Sequence, residues 1–214
     1  MARAARKRDD ASRERILETA AQLFARHGSA GMSLQMLADH VGLHKSTLFH
    51  HFASKEEILH TMLHRELSRI LEVVRPLADD RTPELDHLLD VGEALSDHFA
   101  RTPDTGPVLL RSLFSPDIEE SAIPDGLESI ERKIFATIGT WLEKARRAGV
   151  IRKVHVRQAL VNLLGVFLLY PAIAPDDFGR ELVGGDPSAP PALRARKSEL
   201  RAFLRGAFAP EPGL

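Results

Sequence analysis

The sequence predicts an all-α protein of about nine helices, and three observations lead to this expectation. Apolar residues recur at helical spacing along most of the chain, and no segment alternates as a strand does. The breaks between these segments carry Gly and Pro. The 214 residues are 43% hydrophobic and 28% charged, which is typical of a globular protein with a core.

The first three predicted helices form one small unit. The first helix runs from Ser12 to His27, and Gly28 can end it. Ser33 can cap a short second helix, which stops at Gly42. A third helix, residues 45–52, follows directly. Two short helices that are joined by a glycine turn and braced by a longer helix predict helix-turn-helix geometry.

The remaining helices build a larger unit. Ser54 and Glu57 form a capping box that predicts the start of a fourth helix, which continues to about Val74. Later helices are predicted at 82–103, 107–114, 124–147, 156–170 and 191–208. We therefore divide the chain into a basic and disordered arm (1–11), a helix-turn-helix domain (12–58), a larger helical domain (59–208) and a C-terminal tail (209–214).

The first third of the chain is more basic than the rest. Residues 1–75 contain 12 Lys and Arg against 9 Asp and Glu, whereas the remainder contains 17 against 21. Seven of the ten histidines also lie in this first third. A basic module on an acidic body suggests a polyanion partner for the module.

Several other classes of protein are disfavoured. The chain has no Cys, which excludes disulfides and thiolate metal sites. No signal peptide is visible, and the apolar run Val161–Ala174 is too short to span a bilayer, so we expect a cytoplasmic protein. Nucleophile elbows, phosphate or dinucleotide loops and zinc-protease motifs do not occur, so we expect neither an enzyme nor a cofactor.

The third predicted helix is basic and rich in histidine. Lys45 and Ser46, on its first turn, are placed to reach base edges in a DNA major groove. Three further side chains are placed to hold the phosphate backbone: Thr47, His50 and Lys55. A solvated, histidine-rich surface without a partner is the alternative interpretation.

A series of positions between residues 12 and 60 follows a known pattern nearly without gaps. They are Ile16-Leu17, Ala20, Leu23-Phe24, Gly28, Ser33, Leu37-Ala38, Gly42, Lys45, Thr47 to Phe52, Ser54 to Glu56, and Ile58. Together they resemble the DNA-binding domain of TetR-family transcriptional regulators. The resemblance implies a homodimeric regulator, usually a repressor, that binds a palindromic operator and is released by a small molecule.

The resemblance also implies roles for individual positions. The base-reading positions of the family fall on Gln35, His44, Lys45 and Ser46. The phosphate-holding positions fall on Ser33, Thr47, Phe49, His50 and Lys55. His44 stands where a small hydroxyl residue usually caps the recognition helix, and Phe49 stands where a tyrosine usually touches phosphate. We therefore expect a poorer cap at the first position and a packing role at the second.

The fourth helix offers a metal-site alternative. His60 and His64 are four residues apart, so their rings face one side, and His87 or His98 could supply a third ligand. Exposed or hydrogen-bonded histidines are the simpler interpretation, and we expect no metal.

The larger domain contains candidates for an effector pocket and for a dimer interface. An apolar or amphipathic effector would suit a pocket with few polar groups. The pocket candidates are His98, Phe99, Leu110, Arg111, Phe114, Ile134, Ile138, Trp141, Phe167 and Tyr170. The last two long helices would form the dimer interface through Leu160, Leu164, Gly165, Leu168, Leu200, Phe203 and Leu204.

Two alternatives stay open for this domain. The final helix carries arginines opposite its apolar residues and would also suit a membrane surface, although we favour a solvated basic face beside a dimer interface. The second functional hypothesis is a ligand-binding or interaction protein in which the helix-turn-helix is only scaffold. Salt-dependent binding to a palindromic DNA separates this hypothesis from a regulator.

Overall fold

The computed structural model describes residues 2–79, 82–113, 126–173 and 177–210. These residues form ten α-helices and one 3₁₀ turn, and none of them lies in a strand, which confirms the predicted all-α class. The elements are α1 (Ala2–Gly31), α2 (Leu34–Val41), α3 (Lys45–His51), α4 (Lys55–Val74), the 3₁₀ turn (Arg75–Ala78), α5 (Leu85–Arg101), α6 (Thr105–Ser112), α7 (Gly126–Arg147), α8 (Val156–Ile173), α9 (Asp177–Val183) and α10 (Pro190–Phe208).

Helix α1 differs from its predicted bounds at both ends. It begins at Ala2, so residues 2–11 are helical where the sequence predicts a disordered arm. Residues 2–8 are all Ala, Arg or Lys, and these are strong helix formers. At the other end Gly28 has φ 68° and ψ −177°, and the helix kinks there before it ends at Gly31. Glycine suits this position because a positive φ carries no Cβ penalty for it.

Helices α1 to α3 and the first half of α4 share one apolar core. Ile16 and Phe24 of α1 meet Leu37 of α2 and Leu48 of α3, and all four side chains are buried. This core fixes the three helices of the N-terminal unit to one another.

Helix α4 belongs to two cores. Its first half contributes Ile58 and Met62 to the N-terminal core, and its second half contributes Leu67, Ile70 and Val74 to the core of the larger domain. Its 20 residues span about 30 Å. The boundary after residue 58 therefore lies inside a continuous helix, and the two units are joined by a shared element instead of a linker.

The larger domain packs α5 against α10, α4 against α7 and α6 against α8. Leu88 of α5, Leu142 of α7 and Leu204 of α10 are among its fully buried residues. A row of ion pairs closes the outer side of the α5–α10 contact: Lys197 with Asp97, Arg201 with Asp86, Asp90 and Glu93, and Arg205 with Asp86.

Helix α9 is missing from the sequence prediction, because its seven residues contain too few apolar positions to establish a helical period. Among the described residues, no single helix has both the length and the apolar character needed to cross a membrane. Helices α8 and α9 reach that length only as a pair, which is bent by 109°.

Gly106, in the first turn of α6, lies against the backbone of α8. A Cβ atom at this position would be 2.5 Å from the carbonyl carbon of Pro171, 2.6 Å from its oxygen and 2.8 Å from the nitrogen of Ala172. These are backbone atoms, which cannot rotate away as a side chain can. Helix α6 therefore fits against α8 only because residue 106 has no side chain.

We expect Gly106→Ala to lower the free energy of unfolding by about 2 kcal/mol, as overpacking of a tight contact does. Gly206→Ala in α10 is the control, because no atom lies within 4 Å of the added Cβ. The control should raise the free energy of unfolding by about 1 kcal/mol, since alanine favours a helix. Urea unfolding measures both changes, and equal midpoints for the two variants would contradict the close approach of α6 and α8.

Candidate functional site

The turn between α2 and α3 is built on Gly42. Its φ of 75° and ψ of 36° lie in the left-handed region. The N–H of Leu43, the next residue, donates to the carbonyl of Ala38 at 2.9 Å, as in the Schellman motif that ends many helices. Arg15 of α1 donates to the carbonyl of Val41 at 2.8 Å. These bonds hold α3 in a fixed orientation relative to α1 and α2.

The outward face of α3 carries basic and hydroxyl side chains. Lys45, Ser46 and His50 are exposed, and Thr47 is half-buried. The ammonium of Lys45 lies 6.0 Å from the ring centroid of Phe49, which is itself exposed. The ring of Phe49 therefore lies near the ammonium of Lys45 and is not part of the core.

His44 is the N-cap residue of α3. Its backbone is extended, with φ −73° and ψ 147°, and its side chain makes no hydrogen bond to the first N–H groups of the helix. The prediction of a poorer cap at this position is confirmed. The first N–H groups of α3 thus have no side-chain cap at the outward end of the helix.

Two more of the side chains to which the resemblance gives DNA-binding roles lie at the start of helix α2. Ser33 is its N-cap, and the hydroxyl oxygen accepts from the N–H of Met36 at 3.1 Å. Gln35 is exposed, and its amide donates to the carboxylate of Asp39 at 2.8 Å. Asp39 thereby holds Gln35 in place and leaves the amide oxygen free to accept.

The N-terminus of α4 lies beside the end of α1. The Ser54 hydroxyl accepts from the N–H of Glu57 at 3.2 Å, and the Glu57 carboxylate accepts from the N–H of Ala53 at 2.6 Å. The ammonium of Lys55 donates to the carbonyl of Ser29. Lys55 therefore joins α4 to α1, and because an ammonium has three donors, two remain for a phosphate.

The histidines proposed as metal ligands do not come together. The ring centroids of His60 and His64 are 6.3 Å apart, and burial, followed by the neighbouring His64, lowers the pKa of His60. His87 instead accepts from the N–H of Glu84 as part of a capping box, and His98 lies buried on α5. Across the residues that the structure describes, no group of three or more His, Asp or Glu could hold a metal ion.

A buried polar cluster connects α1, α4 and α6. Glu66 is only 2% exposed, and its carboxylate accepts from Arg65 at 2.8 Å, from Arg69 at 3.3 Å and from the hydroxyl of Thr105 at 2.7 Å. Both arginines also donate to Glu14 of α1, at 3.0 and 3.1 Å. We call these five residues the Glu66 cluster. It joins the N-terminal unit to the larger domain through charged hydrogen bonds.

Two titratable groups lie near the Glu66 cluster. Burial lowers the pKa of His98, and the charge of Glu66 partly opposes this change. Burial raises the pKa of Asp104, and the charge of Arg26 opposes that change. The Nε2 atom of His98 is buried without a hydrogen-bond partner. Burial at this position therefore favours the neutral form of the imidazole.

Arg111 has a different place from the one that the sequence predicts. Its Nε donates to the carbonyl of Ala25 at 2.8 Å, and a second nitrogen approaches the carbonyl of Arg26 at 3.5 Å. Arg111 therefore caps carbonyls near the end of α1 from α6, whereas the sequence assigned it to an effector pocket. It is a second direct connection between the N-terminal unit and α6.

An apolar cavity of about 100 Å³ lies between α4, α5, α7 and α8. Ile70 and Val74 of α4 are part of its wall. Four of the residues predicted for an effector pocket line it: Phe99, Ile134, Ile138 and Phe167. Of the others, Trp141 is core, His98 and Leu110 line neither this cavity nor a second one that contains Tyr170, and Phe114 lies outside the described residues.

The residues predicted for the dimer interface fall into two groups. Leu168, Leu200 and Leu204 are 8%, 2% and 0% exposed, so they belong to the core of their own chain and cannot contact a second copy. Leu160 is half-buried against the same core. Three of the predicted residues are exposed on α8 and α10: Leu164, Gly165 and Phe203. Val161 and Leu169 are further large apolar residues that are exposed on α8, and the prediction omits them.

The sequence of this chain is similar to those of known bacterial regulatory proteins. The family model of bacterial regulatory proteins of the tetR family matches residues 16–62. The transcriptional repressor AcnR of Corynebacterium diphtheriae is 37% identical over 62 residues, which are 29% of this chain and 33% of AcnR. The repressor SCO4008 of Streptomyces coelicolor is 26% identical over 185 residues, which are 86% of this chain and 90% of SCO4008.

The fold is also that of a solved regulator. The structure of the ketosteroid transcriptional regulator KstR2 of Mycobacterium tuberculosis superposes with a TM-score of 0.72 at 19% identity, and covers 93% of this chain and 95% of KstR2. The helix-turn-helix, the all-helical larger domain and the sequence match to residues 16–62 therefore agree. Residues 16–62 match the tetR family of bacterial regulatory proteins, and the similarity of most of the chain to the repressor SCO4008 supports a transcriptional regulator of this family, not an enzyme.

Proposed function

We propose that the protein is a transcriptional repressor that binds a palindromic DNA operator as a homodimer and is released by a small apolar or amphipathic effector. The observation that carries the DNA part is the outward face of α3, where Lys45 and Ser46 stand exposed on the first turn. A recognition helix contacts base edges with its N-terminal residues. Because its proposed partner is chromosomal DNA, we expect the protein in the cytoplasm.

The phosphate contacts that we propose surround this face. Thr47 and His50 lie on α3, and Ser33 and Lys55 lie at the N-termini of α2 and α4. Helix N-termini favour phosphate because their free N–H groups and the helix dipole both attract anions. The two classes of contact should differ in effect, since base contacts provide specificity and phosphate contacts provide register.

A dimer is supported by the surface of α8 and α10. Leu169 is 53% exposed and Phe203 is 57% exposed, although both are large and apolar. Apart from the surrounding turns of α8 itself, no described atom lies within 4 Å of a Cβ built on Gly165, so this position offers space for a second helix. A two-fold interface of α8 and α10 would bury these residues and hold two α3 helices about 34–36 Å apart, which is one turn of DNA.

The effector part rests on the apolar cavity. Its volume of about 100 Å³ is small beside the ~300–1,000 Å³ of a typical ligand pocket. A ligand larger than this space must displace walls, and those walls include Ile70 and Val74 of α4. Because α4 continues into the N-terminal core, a displaced α4 moves α3. The effector must bind the displaced state more tightly, since equal affinity for both states would shift nothing.

The test of this function is selection of a duplex from a randomised library by the full-length protein. We expect a palindromic consensus, bound by two chains per duplex. The logarithm of the association constant should fall linearly with the logarithm of the salt concentration, by about one unit of slope for each neutralised phosphate. If selection yields no consensus and the association constant does not change with salt, the helix-turn-helix serves only as a scaffold.

Lys45→Ala should weaken binding to the selected operator about tenfold or more and leave binding to random duplex almost unchanged, because a good base contact is worth about 1–3 kcal/mol of discrimination. Lys133→Ala removes the same charge from an exposed position on α7 and is the control. Fluorescence anisotropy with both duplexes measures the two affinities. Equal losses on the two duplexes would place Lys45 among the phosphate contacts.

A further inference from the structure

A second cavity of about 50 Å³ lies between α5, α8 and α10. Its walls are mostly apolar, with Phe99, Phe167, Pro171 and Leu193 among them. Two serines also line it, but the hydroxyl of Ser96 already donates to the carbonyl of Gly92, and that of Ser188 to the carboxylate of Asp186. One charged side chain remains on the wall of this cavity, and it is Arg196.

Arg196 is held in place by uncharged groups. Its guanidinium carbon lies 4.2 Å from the ring centroid of Tyr170, and one terminal nitrogen donates to the carbonyl of Val166 at 3.0 Å. The Nε atom is buried and has no hydrogen-bond partner. Burial lowers the pKa of Arg196, yet an arginine side chain stays protonated in proteins. A cation with an unused donor is therefore fixed at the edge of an apolar space.

The other cations of α10 that face α5 are paired. Lys197, Arg201 and Arg205 each bond to a carboxylate of α5. Arg196 bonds to no carboxylate in the described part of the chain, although it lies next to Lys197 in sequence. A partly buried charge without a counter-charge costs free energy, and here the Nε atom is fully buried and unpaired. An anionic ligand would supply a counter-charge.

The second cavity adjoins the apolar cavity between α4, α5, α7 and α8. Phe99 and Phe167 line both of them, so these two rings form the partition. A ligand that turns the rings aside would connect a purely apolar space with a space that has a cation at its edge. Such a combined site fits a hydrocarbon body with one anionic end.

We propose that Arg196 binds the carboxylate of an amphipathic effector whose hydrocarbon part lies between Phe99 and Phe167. A carboxylate matches the planar guanidinium and carries one negative charge, which a single cation neutralises. A phosphate carries about 1.5 to 2 charges and would leave part of its charge uncompensated in this cavity. The inference rests on the proposed effector-responsive function and names the ligand class for it.

The experiment uses the only tyrosine of the chain as its reporter. Because that tyrosine is Tyr170, growth with fluorotyrosine places one fluorine label in this cavity. The DNA-free protein is titrated with decanoate, decanol and decylammonium, which share a hydrocarbon chain and differ in the head group. Decanoate should shift the fluorine resonance and bind at least about tenfold more tightly than decanol, because a charge-assisted hydrogen bond is worth about that factor. Decylammonium should bind more weakly than decanol.

Three variants locate the head-group preference. Arg196→Met removes the charge and keeps apolar volume, so it should bring decanoate to the affinity of decanol. Arg196→Lys should keep part of the preference, since an ammonium is a point charge without the planar fork. Arg194→Met, on the exposed side of the same helix, removes the same charge and should leave the preference unchanged.

Several outcomes would overturn the inference. These are equal binding of decanoate and decanol by the unaltered protein, and a preference that survives Arg196→Met. If Arg196→Met does not fold, the head-group comparison in the unaltered protein and Arg196→Lys decide the question. A protein that binds its selected operator without any carboxylate preference retains the proposed function and loses this inference. A protein that prefers decanoate but binds no duplex retains this inference and loses the proposed DNA-binding function.

Discussion

Leu169→Asp is expected to give a monomeric protein that no longer binds a full operator. Leu169 is large, apolar and more than half exposed on α8, beside Gly165 and Phe203. A carboxylate in the centre of an apolar interface must lose its hydration without gaining a partner, which costs several kcal/mol. Two linked helix-turn-helix domains bind an operator more tightly than one by about 10²–10⁴-fold, and the variant should lose that gain in affinity.

Sedimentation velocity measures the change in oligomeric state, and fluorescence anisotropy with the selected operator measures the loss of affinity. Leu182→Asp is the matched control, because Leu182 is a similarly exposed leucine on α9, outside the proposed interface. The control should stay dimeric and bind the operator normally. A Leu169→Asp protein that sediments as a dimer, or a Leu182→Asp protein that does not, would place the interface on another surface.

Glu66→Ala is expected to lower the free energy of unfolding by about 3 kcal/mol, since removal of one partner from a buried ion pair leaves the others uncompensated. Arg65 and Thr105 then lose their carboxylate in a buried position. The expected cost lies at the lower end of the usual range because both arginines keep Glu14, and Arg69 reaches solvent.

Glu14→Ala provides the comparison for this change. Glu14 bonds to the same two arginines, but its side chain is 44% exposed. An exposed ion pair contributes only about 0–1 kcal/mol, so this variant should unfold near the midpoint of the unaltered protein. Urea unfolding, followed by the circular dichroism of the helices, measures both variants. Similar losses for the two would mean that burial of the carboxylate does not determine the effect.

The N-terminal unit could be predicted almost completely, because its signals are local. The cap at Ser33, the αL turn at Gly42 and the capping box of Ser54 with Glu57 each depend on residues within a few positions of one another. Local hydrogen bonds of this kind form in the same way in many folds, so the residue types alone indicate them.

The larger domain was less predictable, because periodicity does not reveal which neighbour covers an apolar stripe. Leu200 and Leu204 form a stripe on α10 that would suit a dimer interface, yet it packs on α5 of the same chain. Arg111 was assigned to a pocket, but it bonds to Ala25, 86 residues earlier in sequence. Contacts between residues so far apart in sequence depend on how whole helices pack, so the local sequence pattern does not predict them.

Glu66 is a residue whose importance the sequence does contain, although the prediction overlooked it. It lies four residues after Met62 and four before Ile70, so it occupies the buried stripe of α4. An acidic residue on such a stripe must be paired, because an isolated carboxylate is rarely buried. Its partner Arg65 directly precedes it and Arg69 follows three residues later, whereas Thr105 could not have been foreseen.

The sharing of α4 between two cores has a consequence for the modularity of the protein. A chimera in which the helix-turn-helix domain of one regulator replaces that of another is usually joined at a domain boundary, where few contacts cross. Here a cut in the middle of α4 would separate Met62 from Ile70 and divide the Glu66 cluster between two parents. Exchange after Val74 transfers the helix intact, but it preserves the core of the larger domain only if the exchanged helix keeps Leu67, Ile70 and Val74, and the cluster only if Glu14 and Thr105 are retained. A new DNA specificity can thus be combined with the effector response of this protein only if α4 is transferred together with the helix-turn-helix domain.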